Sequence, residues 1–406
     1  MMKYSRHIPI FLVAINLLIA ASHSLAEEKQ YLLAEKSWKK LSEINKLLDA
    51  GQASNAITKL NALLPIVQDK AYDTAVTQQT MGYAYSTIND HPNAIQAFRS
   101  ALNTGALPFD VIHDLEFNLA QLLIFTEQYQ EGLKYLDRWI NAEPTPSVDA
   151  YILAGTAYYE SGQFNKAIPY AKNVINLKNA YDETWHQLLL SCYLKANQYK
   201  NAANLLEKML HVNPDNKTYW QQLLATWQHT DNDKKILATM ELMHTKGLLD
   251  NDDIKQLINM YRYLDMPYEA ASLLKIQLDN EQIPKNASNW EWLGNCWLQA
   301  QEREKSVRTL TKAADLTGEG NLYYKIGQIY FDLEDYPKAI SNLQIAISKG
   351  KLAQYSYAQL ILGIALFHQK DYNQSQKSLE MALSSKSTKN QADWWVQRIK
   401  DLAPDK

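Results

Sequence analysis

An acidic run at Asp250, Asn251, Asp252 and Asp253 offers oxygen ligands of the kind that calcium prefers. A helix–loop–helix calcium site also requires a glycine inside its loop and a glutamate at its end. The run has neither at the needed spacing. The alternative interpretation is the first turn of a helix, where carboxylates accept hydrogen bonds from free backbone N–H groups. The sequence favours this helix start.

Side chains that perform catalysis in other proteins do not cluster in this sequence. The nine histidines form no pair at helical ligand spacing, and no glycine-rich phosphate loop or GxSxG motif is present. Cys192 and Cys296, the two cysteines, fall far apart in sequence and are predicted to be buried thiols rather than a disulfide. We therefore predict a protein without catalytic residues, metal or cofactor, with an enzyme as the alternative from another class.

The stretch YYKIGQIYFDLEDYPKAI, which begins at Tyr323, predicts two short helices joined by a bend. Gly327 lies within the apolar stripe of the first helix, and Pro337 suits the first turn of the second. A glycine inside a helix costs about 1 kcal/mol relative to alanine. Close packing of Gly327 against Ala339 would offset that cost.

The same pattern recurs along the chain at spacings of 33 to 38 residues. The first position, equivalent to Gly327, is occupied by Ile44, Gly82, Ala120, Gly155, Leu190, Leu224, Ile258, Gly294, Gly327 and Gly363. The second position, twelve residues later, is occupied by Ala56, Ala94, Gly132, Ala167, Ala202, Ile236, Ala270, Ser306, Ala339 and Ser375. Ile236 is the one large residue in the second set, which predicts a splayed or shifted hairpin in the sixth repeat.

This pattern resembles the tetratricopeptide repeat, a helix–turn–helix unit of about 34 residues. The resemblance implies an all-α fold: a right-handed superhelical solenoid of about ten helical hairpins over residues 27–385. Residues 386–406 are predicted to be a capping helix and tail. Trp394 and Trp395 are expected to cover the last apolar stripe.

The first 26 residues have the features of a secretory signal. Lys3 and Arg6 precede an apolar segment at residues 8–20, and Ser-Leu-Ala ends at Ala26. Removing Lys3 and Arg6 from the 41 basic residues leaves 39 against 44 acidic ones, a net charge of −5. We predict cleavage after Ala26, a periplasmic location and no nucleic-acid partner. The alternative is a signal that is kept as a membrane anchor; after cleavage no stable membrane span is expected.

In tetratricopeptide arrays the first helix of each unit lines a concave groove that binds proteins. By that resemblance, we expect groove residues in units three, four, seven and ten. Packing between units, or against the capping helix in unit ten, is the alternative for the apolar members. The candidates are Phe117, Ile124, Ile152, Tyr159, Lys255, Asn259, Arg262, Tyr357, Leu360, Ile364 and Phe367.

Two of these residues, Lys255 and Asn259, match positions of the carboxylate clamp with which tetratricopeptide domains bind chain-terminal carboxylates. Lys325 would supply a third position. Trp292 stands where the clamp has its middle asparagine, so the match is incomplete. A solvated polar face is the alternative.

The general layout resembles the periplasmic tetratricopeptide proteins associated with TonB–ExbB–ExbD systems of Gram-negative bacteria. The shared features are the signal segment, the N-terminal stretch that begins AEKSWKKLSEINKLL at Ala34, about ten divergent units and a tryptophan-containing end. The resemblance implies an accessory scaffold in energising outer-membrane uptake of iron chelates, with TonB-, ExbB- or ExbD-type partners. The alternative is an assembly factor for outer-membrane proteins or exported polysaccharide.

Overall fold

The computed structural model describes residues 31–178 and 181–402. Every regular element in these ranges is a helix, and none of the described helices is long and apolar enough to cross a membrane. The predicted signal segment and residues 403–406 lie outside the described ranges. The helices are α1 (Glu35–Asp49), α2 (Ala53–Val67), α3 (Ala71–Thr87), α4 (His91–Asn103), α5 (Phe109–Phe125), α6 (Tyr129–Ala142), α7 (Val148–Glu160), α8 (Phe164–Leu177), α9 (Glu183–Lys195), α10 (Tyr199–Val212), α11 (Lys217–Gln228), α12 (Asp233–Thr245), α13 (Asn251–Tyr263), α14 (Pro267–Asp279), α15 (Ala287–Gln299), α16 (Arg303–Thr317), α17 (Gly320–Asp332), α18 (Tyr336–Lys349), α19 (Tyr355–His368), α20 (Tyr372–Ala382) and α21 (Lys386–Leu402).

The first twenty helices pair in chain order into ten hairpins, which confirms the predicted helical-hairpin solenoid. Each first-position residue lies on the first helix of a hairpin, and each second-position residue lies on the second helix. The second-position alanines and serines are completely buried. The small residues therefore mark the internal face of every hairpin except the sixth, which has Leu224 and Ile236 at the two positions.

Gly327 packs against Leu343 rather than against Ala339, one helical turn earlier. A Cβ atom added at Gly327 would lie 2.8 Å from Cγ of Leu343. Gly294 has the same relationship with Leu310, at 2.6 Å. The predicted close approach of the two helices is present, but a leucine fills the space that the glycine leaves.

The hairpins that contain such a glycine pack their two helices over a longer stretch than the four hairpins that carry Ile44, Leu190, Leu224 or Ile258 at the first position. Ile236 is half-buried, whereas its equivalents in the other hairpins are buried. The looser packing of the sixth hairpin agrees with the expectation. Because three hairpins with alanine at the second position share this looseness, Ile236 alone does not cause it.

The turn between the two helices of a hairpin places one residue in the left-handed region at the same point of nearly every repeat. In two hairpins this residue is a glycine: Gly51, with φ of 73°, and Gly162, with φ of 75°. Non-glycine residues occupy it in seven other hairpins, including Gln301 at 62° and Glu334 at 59°. Asp231, the equivalent in the sixth hairpin, does not adopt this conformation.

A lysine of the second helix covers the aromatic residue three positions after the first-position residue in four hairpins. Lys305 Nζ lies 4.7 Å from the ring centroid of Trp297, and Lys338 Nζ lies 5.2 Å from that of Tyr330. The pairs with Tyr158 and Trp227 have the same eight-residue separation. These cation–π contacts give the four aromatic rings a packing role within their hairpins.

The contacts divide the chain into two compact units, the first ending at Pro214 and the second beginning at Asp215. In the first unit, Asp137 of α6 accepts hydrogen bonds from the hydroxyl groups of Tyr158 in α7 and Tyr170 in α8. In the second unit, Glu241 of α12 accepts a hydrogen bond of 2.9 Å from Tyr261 of α13. Carboxylate–phenol pairs thus join successive hairpins within each unit.

The last helix of the second unit, α21, buries Ala392, Val396 and Ile399 against α19 and α20. Trp395 is half-buried at the edge of this cluster. Trp394 points away and is 59% exposed, so the prediction that both tryptophans cover the apolar stripe is wrong for Trp394. Adjacent residues on a helix lie about 100° apart, so the two indoles cannot share one face.

Both cysteines are free and buried, as the sequence suggested. Burial raises the pKa of the Cys192 thiol to about 12. It raises the pKa of the Cys296 thiol to about 11. The two thiols therefore remain protonated at neutral pH and act as small apolar groups.

Candidate functional site

The acidic run at the start of α13 is a helix cap. One carboxylate oxygen of Asp250 accepts hydrogen bonds of 2.9 Å from the backbone N–H groups of Asp252 and Asp253. Asp253 accepts one in return from the backbone of Asp250, at 3.2 Å. These N–H donors hold the pKa of the Asp250 carboxyl below its ordinary value. No group of residues suited to a metal occurs within the described ranges.

The cap fixes the first turn of α13 and thereby the direction of the polar side chains that follow. Lys255 forms an ion pair of 2.9 Å with Asp252, one turn earlier on the same helix. Asn259 and Arg262 are exposed on the following turns. Arg262 Nε lies 3.4 Å from the side-chain oxygen of Gln299 on α15, the first helix of the next hairpin.

The contact from α15 to α17 continues this arrangement. Lys325 Nζ of α17 donates hydrogen bonds to Glu291 at 2.9 Å and to Asn295 at 3.1 Å, both on α15. Polar side chains of three successive first helices are therefore joined across the second unit. We call Asn259, Arg262, Glu291, Asn295, Gln299 and Lys325 the polar row.

The polar row does not have the arrangement of a carboxylate clamp. Lys255 and Lys325 are both paired with carboxylates of their own chain. Glu291 would repel an incoming carboxylate at Lys325, and Trp292 is half-buried against the apolar core. The two lysines of the predicted clamp are thus paired within the chain, whereas Asn259 is exposed.

Glu291 and Asn295 were not among the predicted site residues, although the sequence contains the signal for them. Lys255 and Asn259 lie three residues before and one after the first-position residue of their repeat. The same offsets around Gly294 give Glu291 and Asn295. Reading these same two positions in every repeat would have identified Glu291 and Asn295.

The candidates of unit three face the interior of their hairpin. Ile124 is buried, and its side chain lies over Gly132, where an added Cβ would approach Cγ1 of Ile124 to 2.8 Å. Phe117 is half-buried with its ring 4.4 Å from that of Trp139 on α6. The groove prediction is wrong for Ile124, because the missing side chain of Gly132 leaves the space that Ile124 fills.

The candidates of unit four are half-buried rather than freely exposed. Ile152 and Tyr159 both lie on α7, and the ring of Tyr159 contacts that of Phe164 edge-on at 5.5 Å. The two residues remain groove candidates. Their partial burial makes a charge at either position costly for the fold itself.

The candidates of unit ten divide between the surface and the α21 contact. Leu360 is buried in the cluster that α21 completes, with Ile364 and Phe367 packed beside it. Tyr357 is 39% exposed. The groove prediction is wrong for Leu360, because the last helix covers it, which is the alternative that the sequence left open.

Comparison with known families finds two matches to tetratricopeptide repeat models, at residues 158–226 and 324–383. Together these stretches cover less than half of the chain. They contain repeats that the spacing pattern had assigned independently. The tetratricopeptide interpretation of the repeats is confirmed.

Two characterised relatives match parts of the chain. The BBSome complex member BBS4 homolog of Drosophila melanogaster is 26% identical over 204 residues, which are 48% of this chain and 40% of the relative. Pentatricopeptide repeat-containing protein 1, apicoplast, of Plasmodium falciparum is 24% identical over 169 residues, which are 37% of this chain and 28% of the relative. The chain therefore spans less than half the length of either relative.

Solved structures with similar hairpins include the MamA protein, at 18% identity and a TM-score of 0.34 over 43% of this chain and 94% of that one. YrrB, a tetratricopeptide protein described as having an unusual peptide-binding site, is 14% identical, with a TM-score of 0.35. The match covers 47% of this chain and 97% of YrrB. A chain of the APC/C hetero-tetramer Cut9–Hcn1 is 13% identical, with a TM-score of 0.29. The match covers 90% of this chain and 77% of that chain. From the family matches and the hairpin architecture, we conclude that this chain contains tetratricopeptide repeats.

Proposed function

We propose that this chain is a non-catalytic periplasmic scaffold that binds a protein partner through the polar row of its second unit. The carrying observation is that α13, α15 and α17 present side-chain donors and acceptors on adjacent helices, linked from one hairpin to the next. Such a surface can hydrogen-bond to several consecutive groups of an extended segment. Tetratricopeptide hairpins form surfaces of this kind by stacking.

Arg262 is the member of the polar row with the most unused binding capacity. A guanidinium group has five N–H donors. Within the described ranges Arg262 forms a hydrogen bond with Gln299 and no ion pair with a carboxylate. Its other donors, beside the exposed amide of Asn259, can bind a carbonyl or carboxylate oxygen of the partner. Arginine is among the residues that most often dominate binding energy at protein interfaces.

The pairing of the two lysines favours an internal segment of the partner over its chain end. Lys255 and Lys325 are already neutralised by Asp252 and Glu291. A chain-terminal carboxylate would have to displace one of these pairs. A segment that offers backbone carbonyls and an isolated acidic side chain would not.

The cellular setting of the proposal comes from the sequence. The signal-like residues 1–26 support export, and the overall layout supports an accessory role in a TonB–ExbB–ExbD system for uptake of iron chelates. Sequencing of the N-terminus of protein from the periplasmic fraction should begin at Glu27. Full-length protein confined to the cytoplasm would contradict export.

The binding proposal is tested in two steps. A photo-crosslinking residue at Asn259 should capture a protein partner in cells, and we expect a TonB-system component. With that partner purified, Arg262→Gln should weaken binding by about 10- to 100-fold, because a hydrogen bond to a charged group contributes about 1.5–3 kcal/mol.

Arg308→Gln is the matched control. Arg308 lies on α16, the second helix of its hairpin, and is paired with Glu304 on the surface at 3.3 Å. The control should bind normally, and both variants should melt like the parent protein. Equal weakening by both substitutions, or normal binding by Arg262→Gln, would contradict the assignment of the polar row.

A further inference from the structure

The first hairpin has a basic, partly apolar recess between α1 and α2. Its volume is about 270 Å³, and it is lined by Lys36, Ser37, Lys39 and Lys40 from α1 and by Leu63 and Ile66 from α2. The recess is far in sequence from the polar row and plays no part in the proposed function.

Two of the three lysines carry uncompensated charge. Lys39 is paired with Glu35 at 2.6 Å. Lys36 and Lys40 are exposed, and no ion pair joins either of them to another residue within 31–178 or 181–402. Because they stand four residues apart on one helix, their ammonium groups lie on the same side of α1.

The charge of this hairpin is opposite to that of the chain. Residues 31–70 contain six lysines and four carboxylates, a net charge of +2, whereas the whole chain has a net charge of −3. The excess positive charge is concentrated at the recess. An anionic surface would therefore be attracted to this hairpin and not to the protein in general.

One of the two apolar residues that line the recess is largely exposed. Ile66 is 64% exposed, although Leu63, one turn earlier on α2, is buried. An exposed aliphatic side chain in the same recess as lysines is typical of surfaces that lie in a membrane interface. There the apolar group enters the acyl boundary while the ammonium groups remain among the headgroups.

We propose that the recess of the first hairpin docks onto a membrane surface that contains anionic phospholipid. Lys36 and Lys40 bind headgroup phosphates and Ile66 inserts between headgroups. We choose an anionic membrane as the partner because the unpaired charges of the recess are cationic. Nucleic acid is disfavoured because the rest of the chain is acidic. The proposal is independent of the polar row, which lies in the other unit of the chain.

The test uses the protein as recovered from cells that express the whole chain. Its partition onto phosphatidylcholine vesicles is compared with that onto vesicles that also contain phosphatidylglycerol. We expect a clear preference for the anionic vesicles, which high salt should abolish. Equal binding to the two compositions would overturn the proposal.

Lys36→Gln combined with Lys40→Gln should weaken partition onto anionic vesicles by about 25-fold, since each lysine near such a surface contributes about fivefold. Replacing both by arginine should preserve it. The matched control combines Lys200→Gln and Lys208→Gln on α10, two exposed lysines with the same charge change. Equal weakening in the control would show a general effect of net charge and would overturn the assignment to the recess.

Two further arms complete the test. Ile66→Gln should weaken binding to anionic vesicles without changing its salt dependence, and normal binding by this variant would contradict insertion. Inorganic phosphate, compared with chloride at equal ionic strength, should not displace the protein. Specific displacement by phosphate would identify a discrete anion site in place of a membrane surface.

Discussion

Ser306 Oγ donates a hydrogen bond of 2.7 Å to the backbone carbonyl oxygen of Gly294, across the contact between the two helices of the eighth hairpin. Ser375 and Gly363 repeat this bond, also at 2.7 Å, in the tenth hairpin. The second position of the repeat is thus a point of direct contact between helices, where a small side chain can approach the opposite backbone.

Ser306→Ala should lower the free energy of unfolding by only about 0.5–1.5 kcal/mol, the net value of a typical hydrogen bond. Alanine stands at the equivalent position of most other hairpins, so the packing is kept. Ser306→Val should cost more, because added methyl groups meet the backbone of α15. Thermal and urea unfolding measure both effects. A valine variant as stable as the alanine variant would show that the contact is loose.

Gly327→Ala should destabilise the ninth hairpin by up to about 2 kcal/mol, because overpacking against Leu343 costs about 1–3 kcal/mol and the better helix propensity of alanine returns about 1 kcal/mol. Hydrogen exchange should increase first in α17 and α18. Gly155→Ala is the control, since an added Cβ there has its nearest neighbour at 3.4 Å. Adding Leu343→Ala to Gly327→Ala should then be less harmful than the sum of the two single changes. Strict additivity would show that Gly327 and Leu343 do not share the space.

Glu334→Gly should stabilise the protein by about 0.5–1 kcal/mol, because glycine adopts the left-handed conformation of this turn without a steric penalty. The greater freedom of glycine in the unfolded chain limits the gain. Gly162→Ala should have the opposite effect: no atom lies within 4 Å of the added Cβ, so the conformation alone is tested. The two melting temperatures should shift in opposite directions.

Tyr261→Phe should reduce the loss of stability that the protein shows in strong alkali. Burial, together with the hydrogen bond to Glu241, raises the pKa of the Tyr261 phenol above its ordinary value of 10.0. The protonated phenol therefore contributes its full share of the free energy of unfolding below pH 10.0. This contribution is lost as the pH rises from there towards the folded-state pKa. Unfolding measured across this range should be less steep with pH in the phenylalanine variant.

The number of hairpins was accessible from the sequence because a small residue recurs twelve residues after the first position in nine of the ten repeats. The residue that packs against Gly327 could not be predicted from the sequence. A Cβ atom tilts towards the start of its own helix, which in an antiparallel pair is towards the end of the other helix. The space at Gly327 therefore opens one turn beyond Ala339, at Leu343.

The candidate site was only partly predictable. Lys255 and Arg262 could be placed on the surface from their spacing. Ile124 and Leu360 could not be distinguished from groove residues, because an apolar stripe does not reveal whether a neighbouring helix covers it. Burial of Ile124 depends on Gly132, and burial of Leu360 depends on α21.

The outward position of Trp394 has an optical consequence. Indole fluorescence depends on solvent contact, and Trp394 is 59% exposed in the second unit while Trp38 is 57% exposed in the first. A water-soluble quencher should reach these two indoles before the buried ones. Replacing either tryptophan by phenylalanine would leave one largely exposed indole, so that the local surroundings of each unit could be followed separately by fluorescence quenching.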